Sequence, residues 1–465
     1  MKPIKPFLLI ICVVSSCNVG PKFVKPQPKM PADFASRGKM EQHAAEVDAA
    51  WWRKLNDSTL NELVALGDAQ NKDLSAGRSR LLEARALWRE SRFNLAPTVT
   101  FGSAYDNVRN GSTSFSGLRT RDYELYRTGF DADWELDFFG RVRNSVKAAK
   151  ATSSAVDANL HDLLISLQSE IATNYMELRG SQAQLTVARE NAGNQLDALH
   201  IAEASLKGGR GTQLDVARAN ALWNATMAQL PTYEENIAKS IHRIAVLCGQ
   251  NPSELRARLQ ITKKQPAVPS QIGIVKPAEL LRRRPDIRVA ENSLAAETAR
   301  VGVAVADLFP RVTFSGRVDL EASTLSYFAN RPNADGFTFG PRITWAAFNL
   351  GRVRQQIAAA GRRADAALAR YEQTVLLALE ETENALTVYD RERVRLHHLE
   401  ASAASAREAA TLARKRYQDG IADFLTVLDA ERVALGAQND IVVSRTRVAT
   451  AWVSIYKAMG GGWNG

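Results

Sequence analysis

WELDFFGRVR, residues 134–143, is written a second time as WAAFNLGRVR, residues 345–354. Each copy places a tryptophan six residues before Gly-Arg-Val-Arg, and the copies stand 211 positions apart. The same offset carries Gly209, Leu214, Val216 and Ala219 of GRGTQLDVARA onto Gly420, Leu425, Val427 and Ala430 of GIADFLTVLDA. Upstream, Ala96-Pro97 followed by Phe101 parallels Phe309-Pro310 followed by Phe314, now at an offset of 213. Separate landmarks sharing one long period mark a duplicated, domain-sized unit rather than a solenoid. Each unit reads as helix, two strands, long helix, turn and helix.

Alternation identifies the strands. Tyr126, Thr128, Phe130, Ala132, Trp134 and Leu136 fall on one face, with Arg127, Gly129, Asp131, Asp133, Glu135 and Asp137 on the other. In RVTFSGRVDLE, Val312, Phe314, Gly316, Val318 and Leu320 alternate with Arg311, Thr313, Ser315, Arg317, Asp319 and Glu321. Period-two patterning of this length suits a membrane strand, apolar toward lipid and polar toward a lumen. A soluble, half-buried sheet alternates in the same way; export, lipidation and the tryptophans Trp134 and Trp345 at strand ends favour the membrane. Four strands do not close a barrel, since the known small barrels begin at about eight strands. An open edge is not viable in lipid, so several chains must share one barrel. Gly140 and Gly351 in the repeated motif are read as relieving the turn from sheet to helix.

The helices are written in sevens. Leu164, Ile171, Leu178, Leu185, Ala192, Leu199 and Leu206 recur without a break, between Gly140 and Lys207 there is no proline, and the offset gives Val375, Thr382, Tyr389, Leu396, Ala403, Ala410 and Tyr417. Such a seam implies supercoiled helix packing. About 65 residues at 1.5 Å each make a rod on the order of 100 Å, longer than any membrane is thick, so it projects into the adjoining compartment. The rods end at Gly208-Gly209-Arg210-Gly211 and Asp419-Gly420, where left-handed geometry is readily met. Thr212 and Asp423 are the expected N-caps of returning helices near 213–247 and 424–459.

At the N-terminus Lys2 and Lys5 precede a short apolar run, Phe7 to Val14, and then Val-Ser-Ser-Cys17. Charge, apolar core and small-residue exit describe a secretory signal peptide ending at Ser16. The ending resembles a bacterial lipobox, which implies acylation of Cys17, with palmitate among the expected chains; an ordinary signal peptide with an incidental cysteine is the alternative. Asn18 is compatible with outer-membrane sorting. Only Cys248 would then remain, so the exported chain has no internal disulfide and depends on packing or assembly. No apolar stretch reaches the 18 or more residues of a transmembrane helix. The formal charge of +10 is spread along the chain among acidic residues, which argues against nucleic acid as a partner.

LLRRRPDIRVAE, residues 280–291, resembles the signature segment of TolC-type outer-membrane efflux proteins of the lipoprotein (NodT/OprM-like) branch. The Cys-x-Val-Gly-Pro start at 17–21, both GRVR junctions and YQDGIADFLTVLDA, residues 417–430, also match that family. The resemblance implies an α+β membrane protein: a homotrimer whose twelve-stranded outer-membrane β-barrel takes four strands per chain and continues into a long periplasmic α-helical barrel. It implies a Gram-negative outer membrane, a lipid anchor and a large periplasmic part. It also implies a periplasmic adaptor and an inner-membrane pump, commonly of the resistance-nodulation-division class, as partners. The chain would divide into a signal peptide (1–16), a lipidated extended arm (17–50), repeat one (51–248), an equatorial linker (249–276) and repeat two (277–465).

On the same resemblance Asp429 matches a pore-facing carboxylate at the closed tip, and Asp215 matches a residue that ties neighbouring helices. Thr426 stands where the family often has a second aspartate, which puts a double acidic ring in doubt. Arg218 is the repeat counterpart of Asp429, so a salt-bridge lock between hairpins is conceivable. The tip turns, with Gly209, Gly211, Thr212, Gly420, Ala422 and Asp423, would meet the adaptor. The Arg282–Arg284 run reads as structural, facing acidic neighbours. Asp131, Asp133, Glu135 and Asp137 would make the lumen acidic, with Arg127, Arg311, Arg317 and Arg342 available to offset them.

Nothing in the chain reads as catalytic, as cofactor-binding or as a metal site. His397 and His398 are adjacent, so their rings should point to different helix faces. The expectation is a non-enzymatic, passive exit duct for drugs or other small toxic compounds. A duct for type I protein secretion or for metal ions reads the same way in sequence, because the pump selects the cargo. A coiled-coil surface lipoprotein would need neither the paired amphipathic strands nor the duplication.

Overall fold

The computed structural model describes residues 18–37, 42–43, 48–109, 122–269, 272–326 and 334–463. Its elements run β1 (Gln42–His43), α1 (Ser58–Gln70), α2 (Lys72–Phe93), β2 (Thr98–Arg109), β3 (Asp122–Leu136), α3 (Arg141–Lys207), α4 (Gln213–Met227) and α5 (Leu230–Leu247). There follow α6 (Arg256–Leu259), β4 (Ile272–Gly273), α7 (Pro277–Arg283), α8 (Pro285–Ala306), β5 (Arg311–Ala322), β6 (Asp335–Thr344), α9 (Leu350–Gln418) and α10 (Phe424–Ala458). The chain divides into two units, one within 1–27, 80–157 and 289–372, the other within 28–79, 158–288 and 373–465. No helix among the described residues is long and apolar enough to cross a membrane.

The first unit is built on a four-stranded antiparallel sheet in the order β2-β3-β5-β6. Register turns the alternation of each strand into rows across the sheet. Phe101, Phe130, Val318 and Phe337 lie directly opposite one another, and the next row is Val99, Ala132, Gly316 and Phe339. Between them on the reverse face runs Thr100, Asp131, Arg317 and Thr338. The apolar face is uncovered in one chain: Phe130 is 55% exposed and Val318 65%. Among the described residues β2 and β6 each pair on one side only, leaving two open edges. The extended arm fastens to this unit where the Val19 amide donates to the Phe139 carbonyl (3.2 Å) and Lys25 pairs with Glu291 (2.8 Å).

The second unit carries the apolar core. Trp51 is fully buried, stacked on Tyr456 at 5.5 Å and edge-on to Trp452 at 5.6 Å. Asp57 caps α1 through the Leu60 amide (3.0 Å) and accepts the Tyr175 hydroxyl (2.7 Å). Burial, with Asp57 beside it, pushes the Tyr175 hydroxyl up to about 12. The seam behaves as its spacing requires: Ile171, Leu178, Leu185, Ala192 and Leu199 of α3 are buried, as are Val375, Thr382, Tyr389, Ala403 and Ala410 of α9. The arm also docks here, with Phe34 buried and the Ala35 and Ser36 amides donating to Glu383 (2.7 and 2.8 Å).

Three expectations need correction. The first returning helix is not continuous over 213–247. It stops at Met227 and restarts at Leu230, with Pro231 in the first turn of α5, where a residue without an N–H leaves no bond unmade. The second returning helix has no proline and runs unbroken from Phe424 to Ala458. The segment 249–276 is more than a linker: Leu255, Leu259, Ile272 and Val275 are buried, and β4 pairs in parallel with β1. Finally, only one junction glycine bends the chain. Gly140 has φ +81°, whereas Gly351 has no positive φ and sits in the first turn of α9.

Candidate functional site

On the polar face of the sheet, register decides which charges meet. Arg317 donates to Asp131 (2.7 Å), Ser315 to Asp133 (2.6 Å) and Arg127 to Glu321 (3.3 Å), each pair standing directly opposite in β3 and β5. Glu135 pairs with Arg141 and approaches Arg311 (3.8 Å). The acidic row is therefore largely offset within one chain, as the arginines on the facing strand suggested. Asp137 is not part of that row. β3 ends at Leu136, and the Asp137 carboxylate turns back to accept the Val142 and Arg143 amides (3.1 and 2.8 Å), capping α3.

The two junctions share one contact. The Trp134 indole donates to the Leu95 carbonyl and the Trp345 indole to that of Leu308, both at 3.0 Å. Both rings are exposed, at 37% and 53%. Each tryptophan thus pins the end of one strand to the entry of its neighbour and presents its ring outward, as an amphipathic ring at a membrane interface does. A side chain at Gly140 would be strained by its φ of +81°, and a Cβ there would also crowd the Asn18 backbone at 3.2 Å from its Cα.

The helical turns repeat each other bond for bond. Gly209 and Gly420 have φ +71° and +73°, the amides of Arg210 and Ile421 donate to Ser205 O (2.9 Å) and Arg416 O (2.8 Å), and Gly211 and Ala422 donate to those same carbonyls. Each glycine ends its helix in the left-handed conformation that satisfies a late carbonyl. The caps use the same two residue types in exchanged places. Thr212 caps α4 and receives the Asp215 amide (3.2 Å), while Asp423 caps α10 and receives the Thr426 amide (2.9 Å). Hydrogen bonds from Thr426, with Arg218 nearby, hold the Asp423 carboxyl below its usual range. Replacing Thr212 with alanine removes the capping box and should cost about 1 kcal/mol of local helix stability. Faster amide exchange in α4, with α5 unchanged, is the expected readout.

Within one chain these assignments separate the gate candidates. Asp215 accepts from its own cap, Thr212 (2.6 Å between side chains). Asp429 pairs with Arg432 (2.7 Å), both exposed, and Arg218 does not reach it, so no lock forms between those two inside the chain. Near the turns the contact between hairpins is mainly apolar: Phe424 and Leu428 pack with Ala198, Leu199, Ala202 and Ala219. Tyr417 adds a hydroxyl contact to Ser205 at 3.2 Å.

Two charged clusters were not legible in the sequence, in whole or in part. Arg414 donates to Glu431 (2.6 Å), a carboxylate only 5% exposed that fastens α9 to α10. Repeat logic gave no sign of it, since the counterparts are Glu203 and Asn220. Arg284, the last of the arginine run, binds Asp286 and Glu381 at 2.7 Å each and donates to the Ala458 carbonyl at 2.7 Å. Ser16 and Cys17 lie outside the described residues. Among the described residues no group of three metal-ligating side chains converges, and the His397 and His398 rings meet edge-on at 5.6 Å instead of diverging.

A family described as "Outer membrane efflux protein" matches residues 65–250 and 277–461. The nodulation protein T of Rhizobium leguminosarum bv. trifolii is 29% identical over 99% of this chain and 97% of its own length. The toluene efflux pump outer membrane protein TtgI of Pseudomonas putida is 28% identical over 98% of both. Among solved structures, the outer-membrane channel OprN superposes with a TM-score of 0.91 at 40% identity, covering 96% of this chain and all of that one.

Proposed function

The chain belongs to the outer membrane efflux protein family, and on that premise we propose that it is the outer-membrane duct of a tripartite efflux system. Three copies contribute β2, β3, β5 and β6 to one twelve-stranded barrel, and two internal repeats supply the helices of a periplasmic α-barrel. One observation carries this reading: a sheet with a continuous apolar face and two unpaired edges in a single chain. In lipid such edges must be closed by further copies. Eight strands from two copies or twelve from three would satisfy closure alone; the family favours three.

The duct is passive and performs no chemistry. An inner-membrane pump of the resistance-nodulation-division class supplies energy, and a periplasmic adaptor meets the turns at Gly209, Gly211, Thr212, Gly420, Ala422 and Asp423. Relatives named for toluene efflux support small, toxic, largely apolar compounds as cargo. Cys17, after removal of residues 1–16, anchors the arm through its acyl chains. Residues 51–248 and 277–465 are the two repeats, joined by 249–276. The constriction is formed by Asp429 with Asp215, Arg218 and Thr426 near it, and any pairing of Arg218 with Asp429 is made between copies. Asp429→Asn should therefore change single-channel conductance; identical conductance would remove Asp429 from the constriction.

The cellular test is deletion of the gene followed by a panel of drugs, solvents, metals and secreted proteins. Heightened susceptibility to several unrelated small compounds, reversed by the intact gene, is expected. Unchanged susceptibility together with loss of a secreted protein would overturn the assignment.

A further inference from the structure

Phe348 is 103% exposed and Phe93 75% exposed, which is unusual for two large apolar rings at fixed places in a fold. Phe93 ends α2, five residues before the outer strand β2; Phe348 follows the other outer strand, β6, by four residues. The sheet is antiparallel throughout, so the end of each strand lies beside the start of its neighbour. At the seam between β3 and β5 that juxtaposition is already made within the chain. There Phe139 stacks on Phe309 at 4.6 Å, and Asp137 and Ala306 line one cavity of about 430 Å³.

The internal offsets carry this seam to the open edges. Adding 211 takes Asp137 to Phe348, and subtracting 213 takes Ala306 to Phe93. The residues that line the inner cavity as a carboxylate and a methyl are thus replaced by two phenylalanines at the seam left open. Asp137 is occupied in capping α3, whereas Phe348 has no partner of that kind.

We propose that Phe348 of one copy packs against Phe93 of the next, forming an aromatic clasp at each seam where the barrel meets the helices. The partner is a second copy of this chain, joined head to tail so that the contact closes around a ring. The clasp rests on the proposed multichain barrel and specifies how neighbouring copies recognise each other beyond their strand edges. Aromatic pairs of this kind add binding beyond the area they cover.

Co-expression of Phe93→Cys chains with Phe348→Cys chains tests it. Both positions are exposed in the single chain, so neither substitution disturbs its fold. Cys248 is buried, and burial pushes its thiol up to about 11; with Cys12 removed and Cys17 acylated as proposed above, the parent chain gives a quiet background. Mild oxidation of purified assemblies should yield a covalent dimer from the mixture and none from either variant alone. Phe348→Ala should dissociate from trimer to monomer in detergent at lower temperature than the parent. Normal trimers with no cross-link would overturn the clasp and leave the barrel standing, as would quenching of a fluorophore on Phe348→Cys by a bilayer-confined quencher. Chains that never assemble would overturn both.

Discussion

A Phe130→Arg chain should fail to assemble in the outer membrane, while Thr100→Arg, at nearly the same depth, should assemble normally. Phe130 sits in the row Phe101, Phe130, Val318 and Phe337, far from either end of β3. If that row faces lipid, an arginine near the bilayer midplane costs about 2–4 kcal/mol per copy, and a symmetric assembly incurs the cost in every copy. Thr100 lies on the reverse face, directly opposite Asp131. A cation there faces water and an acid, so it costs little. Heat-resistant oligomers on gels of outer-membrane fractions provide the readout. Equal assembly of both variants would mean that the apolar face does not meet lipid.

The second large effect is expected at Arg284. Its side chain is 10% exposed and holds Asp286, Glu381 and the Ala458 carbonyl together. Methionine would fill much of the space but leave carboxylates and a carbonyl without their donor. Breaking a fully buried pair costs about 3–5 kcal/mol; with Glu381 at 41% exposure the lower end, about 3 kcal/mol, applies. The pH dependence follows from Asp162, whose carboxyl is raised by burial and then by Asp286, against the lowering effect of Arg284. An acid with a raised folded pKa destabilises the fold while charged, so stability increases as pH falls through that pKa. Removing Arg284 raises it further. The deficit of Arg284→Met should therefore be greatest at neutral pH and shrink as Asp162 takes up its proton. Thermal unfolding of both proteins across acidic pH measures this, and a constant gap would exclude Asp162 from the cause.

Legibility in the sequence followed the range of each signal. The heptad seam from Leu164 to Leu206 and the alternation through Phe130 and Val318 are local, so helices and strands could be read directly. The duplicated landmarks located both turns, both tryptophans and both caps, and Thr212 and Asp423 perform as caps. Partner choice across strands was less accessible. Asp131 meets Arg317 across 186 residues because register places them opposite, and register is a property of the folded sheet. Repeat logic also misled at Gly351, where the motif is kept but the backbone strain of Gly140 is not. It was silent for Glu431 and Arg414, whose counterparts carry no matching charges. Along the first returning helix the cap and turn marked the start but not the break at Pro231, which begins a new helix without leaving an unmet donor.

Conductance of the purified, detergent-stable oligomer in a planar bilayer tests the channel most directly. Discrete, uniform pores from a particle with the mass of three chains are expected, and they should be absent from Phe130→Arg preparations. A stable particle of that mass that inserts into the bilayer yet passes no current would contradict it.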